Sequence, residues 1–280
     1  MQTTTNQTPK WLDLFITAFG TQGLIALAWW AGAFHAQRIR ELQATYPILQ
    51  ITGGPGVGKS TLVANLWKLA GSEGESRNAE TCSMGALLAF LARAVNRPVV
   101  LEESSRDSDG DCFDWNTLRE CYAGQPISIK RAGQPVNAMT FQGALAFVGG
   151  YDEVLNSRIV NIHLARQPRT DSHRSAVDAL HDLQITEMAQ FVDAVRANRE
   201  QVVYRLGHVP AYVESLREEM EPAGLNHDTA RNHAQLRALL DLLADLFPIP
   251  ADALHHAHTE VCGMAWVHAD SKAAEATTTN

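Results

Sequence analysis

Apolar residues along the chain follow two patterns, which predict two kinds of element. Short, mainly apolar runs at 47–52 and 141–148, and three apolar residues followed by two acids at 99–103, are typical of buried strands. Apolar positions three to four residues apart predict helices over 61–70, 84–96 and most of 172–268. Alternating strands and helices over 46–168 therefore predict an α/β core, followed by an all-helical region.

The N-terminal stretch 9–44 is predicted to be mostly helical, in two pieces broken near 20–23. Within it, 14–34 contains no formally charged residue and approaches the length of a membrane span. Thr17, Gly20 and Gln22 divide it into two weaker halves, and no cleavage pattern of a signal peptide follows. We predict helices buried against the core, with a membrane segment as the alternative.

These patterns predict four parts of the chain. They are a helical segment at 1–45, an α/β core at 46–168, a helical domain at 169–270 and a disordered tail at 271–280.

The composition limits the classes of function. The 280 residues carry a net charge of −8, so the chain as a whole is not a basic nucleic-acid binder. Contact with DNA would need a local basic patch or a ring of subunits. The four cysteines are scattered without a C-x-x-C pair, which indicates a reducing cytoplasm and neither a structural zinc site nor a disulfide framework.

Residues 53–61 read Gly-Gly-Pro-Gly-Val-Gly-Lys-Ser-Thr and match the phosphate-binding loop G-x-x-x-x-G-K-[ST]. Gly53 and Gly58 allow backbone angles that turn N–H groups inward to form an anion-binding nest at a helix N-terminus. Lys59 can reach the β- and γ-phosphates, and Ser60 offers a hydroxyl to Mg²⁺. A predicted strand before the loop and a predicted helix after it supply the context that the motif requires. The predicted nucleotide-binding residues are Gly53, Gly54, Gly56, Val57, Gly58, Lys59, Ser60 and Thr61.

Two acids end the predicted strand at 99–103. We assign Glu102 to the metal and Glu103 to the attacking water, with the reverse assignment open. The alternative is an ordinary solvated strand end. Many P-loop ATPases carry a polar residue, called the sensor, that contacts the γ-phosphate from the end of the strand corresponding to 141–148. At this sensor position the chain has Gly149 and Gly150.

Other candidates are basic or imidazole groups. Lys130 and Arg131 lie beside the turn of a predicted hairpin. They are interpreted either as contacts to DNA or as an ordinary solvated hairpin tip. Arg158 precedes a predicted strand in which apolar and polar residues alternate. It is interpreted either as an arginine finger or as a surface arginine in a salt bridge. His255 and His258 share a helix face, but without a companion ligand we favour exposed histidines over a metal site.

The order of these motifs resembles a known family. The phosphate-binding loop is followed by P-V-V-L-E-E-S, F-D-W-N-T-L-R-E-C-Y-A-G-Q, a basic hairpin, an apolar strand and N-S-R-I-V-N-I-H-L. This set, covering about 11–164, resembles the superfamily 3-like AAA+ helicases of phages, plasmids and integrative elements, which are often associated with primase or Toprim modules. The fold that the resemblance implies is a P-loop three-layer core with a helical lead-in and an all-helical C-terminal region.

The resemblance implies roles for the candidate residues. Lys59 and Ser60 would bind ATP and Mg²⁺, Glu102 and Glu103 would be the acidic pair, and Lys130 or Arg131 would face DNA in a ring. Arg158 would be the finger for a neighbouring subunit. Two departures stand out: glycine occupies the sensor position, which counts against robust hydrolysis, and no primase, Toprim or zinc-ribbon segment is present. Any priming activity is therefore expected in another polypeptide.

The leading prediction is an ATP-hydrolysing DNA helicase or helicase-loading subunit in replication of a mobile element, assembled as a homo-oligomeric ring. The first alternative is a nucleotide-dependent binding module or assembly switch with weak or no hydrolysis. A small-molecule kinase is the third possibility, because P-loop folds support many functions.

Overall fold

The computed structural model describes residues 8–78, 81–102, 115–129, 137–149, 153–166, 170–220 and 225–278. In these ranges a parallel sheet is covered by helices on both faces, so the predicted P-loop type of α/β fold is confirmed. The strands are β1 (Ile48–Thr52), β2 (Ser76–Asn78), β3 (Val95–Glu102), β4 (Pro126–Ile129), β5 (Asn137–Thr140), β6 (Gln142–Val148) and β7 (Ile159–His163).

Five strands form the parallel sheet in the order β2-β3-β6-β1-β7, while β4 and β5 pair as a separate antiparallel hairpin. The strand that leads into the phosphate-binding loop is therefore separated from the acidic strand β3 by β6 alone. Register fixes the row at their carboxyl ends: Ile51 lies opposite Val148, and Val148 lies opposite Glu102.

Alternate residues of the buried strands point to opposite faces, and each face has its own cluster of buried side chains. Leu49 and Ile51 of β1 pack in the cluster that contains Leu62 and Leu66, which lie in the helix after the loop. Ile48 packs on the other face, with Leu87. Burial of both faces explains why these strands are continuous apolar runs rather than alternating ones.

Twelve α-helices lie in the described part of the chain. They are α1 (Lys10–Ala33), α2 (Ala36–Gln43), α3 (Lys59–Leu69), α4 (Met84–Ala92), α5 (Glu120–Ala123), α6 (Asp171–Asp182), α7 (Ile185–Met188), α8 (Gln190–Ala197), α9 (Arg199–Gly207), α10 (Val209–Glu219), α11 (His227–Leu246) and α12 (Ala251–Thr278). Two 3-10 helices occupy Trp115–Arg119 and Glu153–Arg158.

Helix α1 is the apolar N-terminal segment, and its break is where the sequence predicted it. Gly20 has φ 57° and ψ −148°, which are not helical angles, so the helix consists of two pieces. Among the described helices, α1 has the length and hydropathy of a membrane span, and 67% of its most apolar stretch is buried inside the protein. Its buried tryptophans Trp29 and Trp30 share one hydrophobic cluster with α3, α6, α11 and α12.

Several predicted boundaries were wrong. Helix α4 ends at Ala92 rather than near residue 96, and β3 begins at Val95, with an irregular register before Pro98. The polar residues at 76–78, predicted as a connection, form the short edge strand β2.

The helical region also differs from the prediction. The stretch 172–205, predicted as one or two helices, is divided into α6 to α9. Helix α12 continues to Thr278 through residues predicted to be a disordered tail. The alanines of that stretch favour helix, and this propensity was overlooked.

Candidate functional site

The loop between β1 and α3 has the backbone of an anion nest. Gly53, Gly56 and Gly58 have φ values of 137°, 73° and 101°, a region that side chains disfavour. Gly58 is the N-cap of α3, an eleven-residue helix. The N–H groups of the loop therefore lie at the N-terminus of this helix, where its dipole is positive. A phosphate is the ligand that such an arrangement favours.

Gly53 is required for a second reason, which is close contact with the end of β7. A Cβ atom at this position would lie 2.4 Å from the Leu164 carbonyl oxygen and 2.9 Å from Val57 Cγ2. The Leu164 N–H donates to the Thr52 carbonyl at 2.9 Å, which holds the two chain segments together. Gly54, by contrast, has open space around its Cβ position.

Lys59 lies across the loop that it follows. Its Nζ donates to the Gly53 carbonyl at 2.6 Å and to the Gly54 carbonyl at 3.1 Å. These bonds hold the ammonium group over the nest, where an incoming phosphate can also reach it. Ser60 and Thr61 are exposed in the first turn of α3, so their hydroxyls are accessible from solvent.

The oxygen donors at this edge fit a magnesium ion. Glu102 is exposed at the end of β3, and the row through Ile51 and Val148 places it two strands from β1, about 10 Å across the sheet. Carboxylate and hydroxyl oxygens together with phosphate are the ligands that Mg²⁺ takes in nucleotide sites, so Ser60 and Glu102 suit it chemically. Glu103 lies outside the described residues.

A cavity of about 170 Å³ opens beside the loop. Its wall combines Gly56, Val57, Gly58 and Thr61 of the loop and α3 with side chains of other elements. The other lining residues are Ala18 and Phe19 from α1, Leu164 and Ala165 after β7, and His173 and Val177 from α6. The cavity is mainly apolar and borders the anion nest, which is the combination that a nucleoside attached to phosphates requires.

The sensor position carries no side chain, as the sequence indicated. Gly149 follows β6, where its N–H donates to the Ile51 carbonyl at 3.0 Å. Its own carbonyl accepts a hydrogen bond from Gln50 Nε2 at 3.2 Å. Gln50 is a buried polar residue of β1 that the sequence reading missed, because it lies within an apolar run.

Polar side chains at the ends of β1 and β7 were also missed. Thr52 Oγ1 donates to Asn161 Oδ1 at 2.9 Å and lies 3.2 Å from His163 Nδ1. Asn161 and His163 alternate with the buried residues of β7, so both project from the same face of an edge strand. The alternating pattern of this strand was the signal that could have identified them.

Arg158 is the last residue of the 3-10 helix that precedes β7, and its side chain is partly exposed. Its guanidinium carbon lies 5.9 Å from the centre of the Tyr122 ring, a cation–π contact. Arg158 is therefore accessible to a second molecule, yet packed against a buried tyrosine. Lys130, Arg131 and Gly150 lie outside the described residues.

Of the two histidines of α12, His258 has structural partners. His258 Nε2 lies 2.9 Å from Asp241 Oδ1, and His258 Nδ1 accepts a hydrogen bond from Arg237 at 3.4 Å. In the described ranges no three His, Cys, Asp or Glu side chains cluster closely enough to hold a metal ion.

Compared by sequence, the chain matches no protein family model and no curated protein. By structure, it is similar to the SCCmec type IV Cch helicase, with a TM-score of 0.63 and 16% identity over 92% of this chain and 51% of that one. The chain thus spans about half the length of that helicase.

Two other structural matches are weaker. JCV helicase gives a TM-score of 0.36, with 18% identity over 76% of this chain and 64% of that one. The C-terminal region of NrS-1 gives 0.31, with 11% identity over 86% and 68%. The first match and the loop geometry together show that this chain has an α/β P-loop fold similar to that of the Cch protein.

Proposed function

We propose that the chain is an ATP-binding and ATP-hydrolysing DNA helicase, or a helicase-like subunit, in the replication of a mobile genetic element. The observation that carries the proposal is the anion nest at the start of α3, whose backbone angles require glycine. Lys59 is held over this nest by its hydrogen bond to the Gly53 carbonyl. The likeness in fold to the Cch helicase supports the assignment to a helicase rather than to a kinase.

Each residue of the site has a distinct role in this proposal. The loop N–H groups and Lys59 bind the phosphates, and Ser60 and Glu102 hold the metal. The bound Mg²⁺ would supply positive charge that stabilises the transferred phosphoryl group. Glu103 would orient the attacking water and accept its proton.

The nucleoside would occupy the cavity between α1 and α6. Phe19 and Val177 give it apolar walls, and His173 is a polar residue of its lining. Because α6 begins the C-terminal helices, a nucleotide in this cavity would contact both terminal parts of the chain. The division of the chain at 46–168 and 169–270 remains a prediction.

The remaining contacts involve other molecules. A homo-oligomeric ring would bring Arg158 to the γ-phosphate bound by a neighbouring protomer, which fits its partly exposed position. Lys130 and Arg131 are the proposed DNA contacts, and a primase or other replication protein is the proposed further partner. The proposed site of action is the cytoplasm.

The test is ATP turnover by the purified protein with and without single-stranded DNA. We expect wild-type turnover that DNA stimulates, and a loss of about a hundred-fold in Lys59→Ala, because the ammonium group would no longer stabilise the phosphates. Lys10→Ala, which removes an exposed lysine at the start of α1, is the control and should retain full turnover. Equal turnover in Lys59→Ala and wild type would refute the site.

A second candidate function is a nucleotide-dependent binding module that hydrolyses ATP poorly. The observation that favours it is Gly149, which offers no side chain at the end of the strand between β1 and β3. Tight ATP binding with negligible turnover, and no strand separation, would select this function instead.

A further inference from the structure

A buried hydrogen-bond relay links three distant parts of the chain next to Arg158. The Tyr122 hydroxyl donates to Asn232 Oδ1 at 2.6 Å, and Asn232 Nδ2 donates to the Ser157 carbonyl at 2.9 Å. Tyr122 is 5% exposed and Asn232 is fully buried. The relay therefore joins α5, α11 and the residue immediately before Arg158, and the side chains of Tyr122 and Asn232 are shielded from water.

The same tyrosine contacts Arg158 directly. The Tyr122 ring lies 5.9 Å from the guanidinium carbon of Arg158. Through Asn232, the hydroxyl of the same tyrosine is also linked to the Ser157 carbonyl, in the peptide group that precedes Arg158. Tyr122 is itself fixed, because its carbonyl accepts from Arg40 Nε at 3.2 Å and the neighbouring Cys121 carbonyl accepts from Arg40 Nη2 at 2.7 Å.

The chemistry of the relay requires an asparagine. One side chain has to accept from a hydroxyl and donate to a carbonyl at the same time, and the amide does both. An aspartate would lose the donor, and an apolar residue would leave the buried Tyr122 hydroxyl without its partner and remove the hydrogen bond to the Ser157 carbonyl. Packing alone would not select for this pair of bonds.

We propose that Tyr122 and Asn232 are positioning residues that fix the direction of Arg158 toward a neighbouring protomer. The inference rests on the proposed role of Arg158 in the nucleotide site of its neighbour. It adds a function for α11, which would hold the arginine from the C-terminal helices. Movement of α11 would then change hydrolysis in the adjacent protomer without any contact with ATP.

The experiment measures ATP turnover in Tyr122→Phe, Asn232→Asp and Arg158→Ala, each alone and mixed with Lys59→Ala. Tyr122→Phe keeps the ring and removes only the donor. Tyr212→Phe is the matched control, because it removes a hydroxyl that donates to Asp241 on the same helix α11, in a network distinct from the relay. Thermal unfolding of every variant shows whether it is folded.

We expect Tyr122→Phe and Asn232→Asp to lower kcat by about ten-fold, as misdirected catalytic groups do, with the KM for ATP unchanged. Mixing with Lys59→Ala should restore turnover, because each Lys59→Ala protomer offers an intact arginine to a variant whose own loop is intact. A general folding defect would not be rescued in this way.

Two results would overturn the inference while leaving the role of Arg158 intact. One is turnover of both relay variants at the level of Tyr212→Phe, while Arg158→Ala is inactive alone and rescued in the mixture. The other is a loss of turnover in the relay variants that Lys59→Ala does not restore. Wild-type turnover in Arg158→Ala would instead refute the role of the arginine in its neighbour's site, on which the inference depends.

Discussion

Gly53 shows how much of the site depends on single residues. Its φ of 137° and its distance from Leu164 leave no room for a side chain, whereas the adjacent Gly54 has open space and no positive φ. The motif predicted the conformational requirement at Gly53, because the loop chemistry is local. The steric contact with Leu164 could not be predicted, since it joins residues more than a hundred positions apart in sequence.

Gly53→Ala should therefore impair ATP binding far more than Gly54→Ala. Forcing a side chain into this conformation costs about 1–3 kcal/mol, which corresponds to roughly a ten-fold or greater loss of affinity if the loop distorts. Titration of both variants with a fluorescent ATP analogue checks this. Similar affinities in the two variants would show that the loop tolerates a Cβ atom at Gly53.

The relay beside Arg158 also depends on single residues, but its hydrogen bonds could not be predicted from the sequence. Tyr122 lies in the stretch F-D-W-N-T-L-R-E-C-Y-A-G-Q, which assigns it no role, and Asn232 lies 110 residues further along the chain. Asn232 lies within the helical pattern predicted over 172–268, which likewise assigns it no role. Their roles follow from tertiary packing.

At the scale of elements, periodicity predicted β1, α3, β6 and β7 well, because continuous burial and helical spacing are strong signals. It failed where breaks lack proline or glycine. Helices α6 to α9 are separated near Leu183, Ala189 and Asn198, of which only the asparagine favours a helix end. The start of β3 was missed because Asn96 has a φ of 46° inside an irregular strand.

The C-terminal helices are joined by a carboxylate that none of these patterns indicated. Glu219 of α10 accepts hydrogen bonds from Arg237 of α11 and from Cys262 of α12, both at 2.8 Å. Burial raises the pKa of Glu219, but hydrogen bonds from Cys262, Arg237 and Ser215 outweigh it and lower the pKa from 4.5 to about 2. Burial, with the Glu219 carboxylate beside it, raises the pKa of the Cys262 thiol to about 12, so the thiol remains a donor at neutral pH.

Glu219→Gln should lower the free energy of unfolding at pH 7 by about 1 kcal/mol, a value discounted for solvent screening of a partly exposed group. Because the folded pKa lies below the unfolded one, this stabilisation is complete above pH 4.5 and is lost as the pH falls toward 2. The difference from wild type should therefore shrink between these values in denaturant titrations.

Glu218→Gln, at the exposed neighbouring position, is the control and should behave like wild type across this range. A Glu219→Gln difference that does not change with pH would show that the carboxylate charge contributes nothing to the contact.

At the scale of the whole molecule, the sheet and both terminal helical parts share one hydrophobic cluster. Helix α1 packs in it with α3, α11 and α12, although the sequence separates α1 from α12 by more than two hundred residues. The sequence identified the fold class correctly, but the cavity between α1 and α6 beside the loop depends on this long-range packing. The phosphate half of the proposed nucleotide site is thus predictable from the sequence, whereas its proposed nucleoside half is not.

The central claim is that the 53–61 loop binds a triphosphate, and the most direct measurement is calorimetric titration with a non-hydrolysable ATP analogue and Mg²⁺. Wild type should bind one nucleotide per protomer, and Lys59→Ala should bind at least about ten-fold more weakly, a loss of about 1.4 kcal/mol. Equal affinity in the two proteins, or no binding by wild type, would contradict the account.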